Sequence, residues 1–271
     1  MQDTKKIYEE LYKPDGINYG GVTNDFLNNL PETNQHEVLA YWMERLAIGE
    51  KLNVAEIGCG FARHNNCHPN WTGYEYSSEA IKIANTYFNV TPVEADARDL
   101  PINSESVDFL FSFAVFEHIP KLELVYQEVE RILAPKGYAI IAQAWNCRPL
   151  PVKKLEQRPY SEPSGSKKFG KFLIPIRNNL VFRFLVSFPK RILRELKALK
   201  GGSIDIDYLP LHPRFDLWNR FDHISDDDAF ISMDAHSAIL YFKSRGYKIH
   251  SHPNVICRIL CRGEAVVVQK Q

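Results

Sequence analysis

Glu56, Gly58 and Gly60 stand together in VAEIGCGFARH, residues 54–64, and set a carboxylate and two side-chain-free backbone positions directly after a short apolar run. Val54, Ala55 and Ile57 read as the end of a buried strand. The two glycines let the chain turn sharply and let a ligand approach the main chain where a Cβ would block it. This is the chemistry of a nucleotide-type site at the first strand-to-helix turn of an open α/β sheet. A dinucleotide fingerprint needs a third glycine, but Arg63 and Ala62 occupy the two positions that would carry it. Pyrophosphate is thereby disfavoured, and Glu56 would repel phosphate while suiting an ammonium group.

Two more acids extend the pattern. Glu75 closes the next strand-like segment, where a carboxylate can accept from both hydroxyls of a ribose. Asp96 closes the third, placed to accept from the exocyclic amine of adenine, with the Ala97 amide facing the ring nitrogen. A ribose, an adenine and a zwitterionic amino acid without phosphate describe S-adenosylmethionine.

These residues need a sheet to bring them together. Strand-like segments LNVAEI (52–57), WTGYEY (71–76), TPVEAD (91–96), SVDFLFSF (106–113) and YAIIAQAW (138–145) alternate with helical ones. SEAIKIANTYF follows Ser77 or Ser78 as N-cap, and KLELVYQEVERIL lines Leu122, Val125, Val129 and Leu133 on one face before Pro135 and Gly137. Asp234 can cap a further helix through AHSAILYFKSRG, and YKIHSH and EAVVVQ follow as two last strands, pairing through or beside VICRIL. The predicted fold is α/β: a doubly wound, mostly parallel Rossmann-like sheet with an antiparallel closing strand and a largely helical insertion. The expected divisions are an N-terminal helical or lid segment (1–50), a cofactor-binding core (51–146), a basic, apolar insertion (147–222) and the closing helix and strands (223–271).

AEIGCG, GYEYSSEAIKIA, EADARDLPINSESVDFLFSFAVFEHI and EVERILAPKGYAIIA, in this order and spacing, resemble a class I S-adenosylmethionine-dependent methyltransferase. The resemblance implies S-adenosyl-L-methionine as cofactor, with Gly58 and Gly60 against its methionine part, Glu75 against the ribose and Tyr76 among the cofactor-binding residues. It also implies Asp96 and Ala97 against adenine, and Phe113 with Ala114 beside the sulfonium end. Two features depart from the pattern: Ala62 where a glycine is frequent, and FARHNNCHPN, a crossover about one helical turn shorter than usual.

The sulfonium of such a cofactor already carries an activated methyl, so the protein has only to align an acceptor and exclude water. His118, in FAVFEHIP, is read as a general base, with holding the loop or lining the cofactor pocket as its plainer roles. Tyr19 is a candidate substrate contact from NYGGVTNDFL, as are His223, Asp226 and His236 from FDHISDDDAFISMDAH. No metal is expected there, because a solvated loop and an N-cap account for most of that cluster.

The total charge balances at 33 basic against 33 acidic residues, and no nucleic-acid partner is expected. Five cysteines without a CxxC pair suit reduced thiols. The N-terminus lacks the apolar core of a signal peptide. A cytoplasmic protein is expected, peripheral at the inner membrane face if its insertion meets lipid. Residues 151–201 carry 13 Lys/Arg against 3 Asp/Glu, interleaved with large apolar side chains. Segment 167–200 is therefore read either as a contact with an anionic membrane surface or as a lid packed on its own domain. The expected activity is methyl transfer to a small-molecule acceptor, a hydroxyl of a carbohydrate or lipid-linked glycan precursor as in polysaccharide biosynthesis. A protein or nucleic-acid methyltransferase and a non-catalytic cofactor-binding scaffold are the alternatives.

Overall fold

Short apolar runs with no room for an amphipathic helix become the strands of the first of two units. In the computed structural model, residues 4–13, 34–147, 160–161, 163–213 and 228–271 are described, so Tyr19, His223 and Asp226 lie outside the described residues. The first unit comprises Met1–Phe116, Lys121–Gln143 and Val267–Gln271; the second comprises Glu117–Pro120 and Ala144–Val266.

In the first unit, β1 (Val54–Ile57), β2 (Trp71–Glu75), β3 (Val93–Glu94), β4 (Val107–Phe113), β5 (Leu133–Ala142) and the closing strand Val266–Gln269 stand in the order β3-β2-β1-β4-β5-closing strand. The pairs β1–β2, β1–β4, β2–β3 and β4–β5 are parallel, and the closing strand is antiparallel. β4 is buried at every residue but Asp108, as its nearly unbroken apolar run requires of a central strand. Helix α1 spans Thr4–Leu11, α2 Asn34–Arg45, α3 Ser78–Phe88 and α4 Leu122–Ile132. α4 buries Leu122, Val125, Tyr126, Val129 and Ile132, the 3.6-residue stripe that its sequence carries.

Two local expectations change. No helix forms between β1 and β2; a series of turns crosses there, and Ala62 adopts φ +64° while wholly buried. That left-handed backbone is the one a glycine would take without strain. β5 starts at Leu133, before Pro135 and Gly137, rather than after them. Its register against β4 shifts between Val107 and Phe109, and a Cβ on Gly137 would lie 2.9 Å from the carbonyl oxygens of Ala134 and Val107. The glycine therefore permits an irregular strand start that its sequence signature disguised as a helix stop.

The second unit holds α5 (Ser166–Asn178), α6 (Leu180–Leu199), an antiparallel pair β6 (Tyr208–Pro210) and β7 (Ile231–Met233), α7 (Ala235–Ser244), the short β8 (Lys248–Ile249) and α8 (Val255–Leu260). Asp234 caps α7 by accepting from the His236 amide. VICRIL, expected beside or within a strand pair, is α8 itself, because Asn254 caps it by accepting from the Cys257 amide at 2.9 Å. Helix α7 falls in the same unit as α5 and α6.

Candidate functional site

The sheet of the first unit brings the strand-end acids and the glycine turn to one edge. Gly58 and Gly60 have φ of +71° and +54°. A Cβ on Gly58 would lie 2.4 Å from Val115 Cγ2, and one on Gly60 would lie 3.3 Å from the Tyr12 hydroxyl. Glu75, at the end of β2, is almost fully buried. Its Oε2 accepts from the Gly60 amide at 2.8 Å and its Oε1 from the Ser77 amide at 2.9 Å. One carboxylate thus ties the glycine turn to the start of α3. Burial raises the Glu75 pKa against the lowering effect of these amides.

Glu56 sits differently from its sequence reading. It is 3% exposed, and it faces inward: Oε1 accepts from His64 Nδ1 at 2.7 Å and Oε2 from Trp71 Nε1 at 3.0 Å. Burial raises its pKa despite both donors. Each Glu56 oxygen thus has an internal donor, and one of them holds His64 beside the Phe111 and Phe113 rings.

Asp96 is partly exposed and bound by Arg98, whose amide and Nε donate to Oδ1 at 2.9 Å and whose Nη2 donates to Oδ2 at 2.6 Å. Burial acts to raise its pKa, but the Arg98 hydrogen bonds prevail and lower it. Ala97 beside it is buried. Tyr76, half-buried, lies under the Lys5 ammonium, 5.8 Å from ring centre to Nζ. Phe113 is buried at the end of β4, while Ala114 is exposed with φ +54°.

Sequence reasoning missed the contribution of α1. Glu9 accepts from the Ser78 amide at 2.9 Å and the Glu79 amide at 3.0 Å, so it caps α3 together with Ser77. Tyr12 follows one turn later, edge-on to Phe61. A carboxylate spaced from an aromatic on a short helix was the available signal, but nothing local tied it to residues 60–79.

In the second unit, Glu117 is wholly buried and its Oε1 accepts from the Ala144 amide at 3.0 Å. His118 Nδ1 lies 3.1 Å from Asp228 Oδ2, and its side chain keeps 17% exposure. His118 Nε2 lies 3.6 Å from Glu117 Oε1, so a carboxylate stands near each ring nitrogen at ion-pair distance. Asp228 was not among the expected site residues; its acid-rich neighbourhood gave no reason to single it out.

His236 is wholly buried, which leaves no surface for the substrate contact expected of it. Its Nε2 lies 3.3 Å from Glu195 Oε1, and Arg258 donates twice to the same carboxylate. Burial depresses its pKa to about 4, outweighing Asp234 and Glu195, which act to raise it. Folding therefore holds His236 neutral where an unfolded histidine near 6.5 would take a proton. Between about pH 6.5 and 4 the unfolded chain binds more protons, so stability falls as pH falls through that window. The expected loss from this residue reaches about 3 kcal/mol at the acid end, and His236→Gln should flatten the slope. Urea midpoints measured across the window give the test; a wild-type slope retained in His236→Gln contradicts it.

Residues 55–141 match the family described as methyltransferase domain. Sterol methyltransferase-like 1 of Botryococcus braunii is 45% identical over 121 residues, covering 40% of this chain and 31% of that protein. Demethylmenaquinone methyltransferase of Staphylococcus carnosus is 24% identical over 178 residues, 58% of this chain and 66% of its own. A tRNA (carboxymethyluridine(34)-5-O)-methyltransferase of Schizosaccharomyces pombe is 29% identical over 168 residues, 55% of this chain and 72% of its own. The chain spans about a third of the length of the sterol relatives it matches. Among solved structures, the PH0226 protein of Pyrococcus horikoshii aligns with a TM-score of 0.41 and 22% identity, covering 51% of this chain and 70% of its own.

Proposed function

We propose that the chain, whose residues 55–141 match a methyltransferase domain, is a class I S-adenosylmethionine-dependent enzyme that methylates a hydroxyl of a small-molecule acceptor, in the narrower form a lipid-linked glycan precursor. The residues present fit the cofactor. Glu75 accepts from the Gly60, Ser77 and Tyr76 amides, and a carboxylate with about four acceptor sites keeps capacity for a ribose hydroxyl. The cofactor, when bound, supplies a methyl already activated by the sulfonium. Gly58 and Gly60 keep the turn free of side chains, and Asp96, fixed by Arg98, offers its remaining acceptor capacity to an amine.

The observation that carries the oxygen acceptor is the His118–Asp228 pair. A hydroxyl must lose a proton as it is methylated, and an imidazole standing beside carboxylates can take it. His118→Gln is expected to lower turnover about 10²-fold with cofactor affinity nearly unchanged. Lost affinity with normal turnover assigns His118 a structural role instead. The curated relatives supporting a small-molecule acceptor are named for sterols, demethylmenaquinone and fatty acid.

The acceptor is tested with methyl-labelled S-adenosylmethionine and separate pools of sugars, membrane lipid extract, RNA and protein. Label entering the lipid pool in a form that resists mild base supports ether formation on a lipid-borne hydroxyl. Label in RNA favours the second reading, for which the fission-yeast tRNA relative speaks.

A further inference from the structure

Helix α6 wears its amphipathic pattern inside out. Arg191, 6% exposed, donates from Nε and Nη2 to Asp234 and from Nη1 to the Ile259 and Cys261 carbonyls at 2.6 and 2.8 Å. Glu195, 5% exposed, receives Arg258. Arg194 pairs with Asp207. The side of α6 that meets the rest of its unit is therefore charged. Its opposite side carries Phe182, Leu185, Leu193, Leu196 and Leu199, all exposed, with Leu199 at 74%. In α5, Phe169, Phe172 and Ile176 recur at i, i+3 and i+7 and are exposed too. A surface helix ordinarily turns such a stripe to the core. An apolar face of this extent left in water signals a partner.

Charge selects the partner. On the helical wheel Lys190 and Lys197 border the apolar stripe of α6, with Lys200 at its end, and all three are exposed. Lys167 and Lys168, also exposed, open α5. No carboxylate lies on this outer side of α6, since Glu195, its one acid, faces inward. A row of lysines along the edge and ends of exposed leucine and phenylalanine fits an interface of acyl chains beneath anionic headgroups, with lysine stems lying along the apolar surface and ammonium groups at the phosphates. A spanning helix is not available, because among the described residues no helix is long and apolar enough to cross a membrane.

We propose that the outer faces of α5 and α6 bind in the plane of an anionic membrane surface. This deepens the reading of a lipid-borne acceptor and rests on it for its purpose, while the binding itself requires neither acceptor nor cofactor.

The test is flotation of the full chain with phosphatidylcholine vesicles, with and without phosphatidylglycerol, in low and high salt. The wild type should float with anionic vesicles at low salt, and raising salt should release it. Lys190→Gln/Lys197→Gln should lower partitioning about fivefold per lysine. Leu193→Asp/Leu196→Asp should abolish it; both residues are exposed, so matching thermal melts confirm folding. No flotation of wild type with anionic vesicles overturns the proposal. So does a sedimentation-defined dimer that Leu193→Asp dissolves, since a second copy then covers the face. Cofactor titration of the same sample separates the two readings: flotation without cofactor binding sinks the methyltransferase assignment, and cofactor binding without flotation sinks the membrane face alone.

Discussion

Glu75→Ala is expected to weaken S-adenosylmethionine binding at least ~10²-fold, because each charge-assisted hydrogen bond to a ribose hydroxyl contributes roughly 1.5–3 kcal/mol. The same change frees the Gly60 and Ser77 amides, which loosens the turn proposed to meet the cofactor's methionine part. Glu75→Gln keeps one acceptor oxygen and should fall between wild type and alanine. Calorimetric titration of the three proteins, each with its thermal melt, separates lost contacts from lost fold. Wild-type affinity in a folded Glu75→Ala removes Glu75 from the cofactor site.

Arg191→Gln is expected to destabilise the second unit by about 3–5 kcal/mol, the scale for removing one partner of a buried ion pair. Asp234 would remain largely buried without its cation, and the Ile259 and Cys261 carbonyls would lose their donor. The neighbouring Lys190→Gln, on an exposed side chain, should stay within about 0.5 kcal/mol. Urea unfolding of the two variants is the comparison, and similar midpoints would contradict the buried network. The contrast also separates the cations of this segment. Arg191 and Arg194 read from sequence as available to lipid alongside Lys190 and Lys197, but they are spent on Asp234 and Asp207.

The strands and the glycine turn were legible because their signals are local: a buried parallel strand is an apolar run, and Gly58 and Gly60 need φ values that other residues avoid. The Asp234 cap was legible for the same reason. What failed was orientation. For α6 the sequence left open whether the apolar side meets lipid or packs as a lid, because the inward partners of Arg191 and Glu195, Asp234 and Arg258, lie about 40 to 60 residues away. His236 was misread likewise, since its burial against Glu195 is a long-range contact. The internal donors of Glu56, His64 and Trp71, were not legible at the strand end, because they lie 8 and 15 residues further along the chain. Within the candidate site, Glu9 and Tyr12 escaped notice because each acts on residues far along the chain, and Asp228, part of the acid-rich cluster, was not paired with His118 for the same reason.

Titration of the wild-type protein with S-adenosylmethionine, with NADH in parallel, tests the central claim most directly. The account predicts saturable binding of S-adenosylmethionine, competed by its demethylated product, and none of NADH. Absence of binding at millimolar S-adenosylmethionine, in a protein whose melt shows it folded, would contradict it.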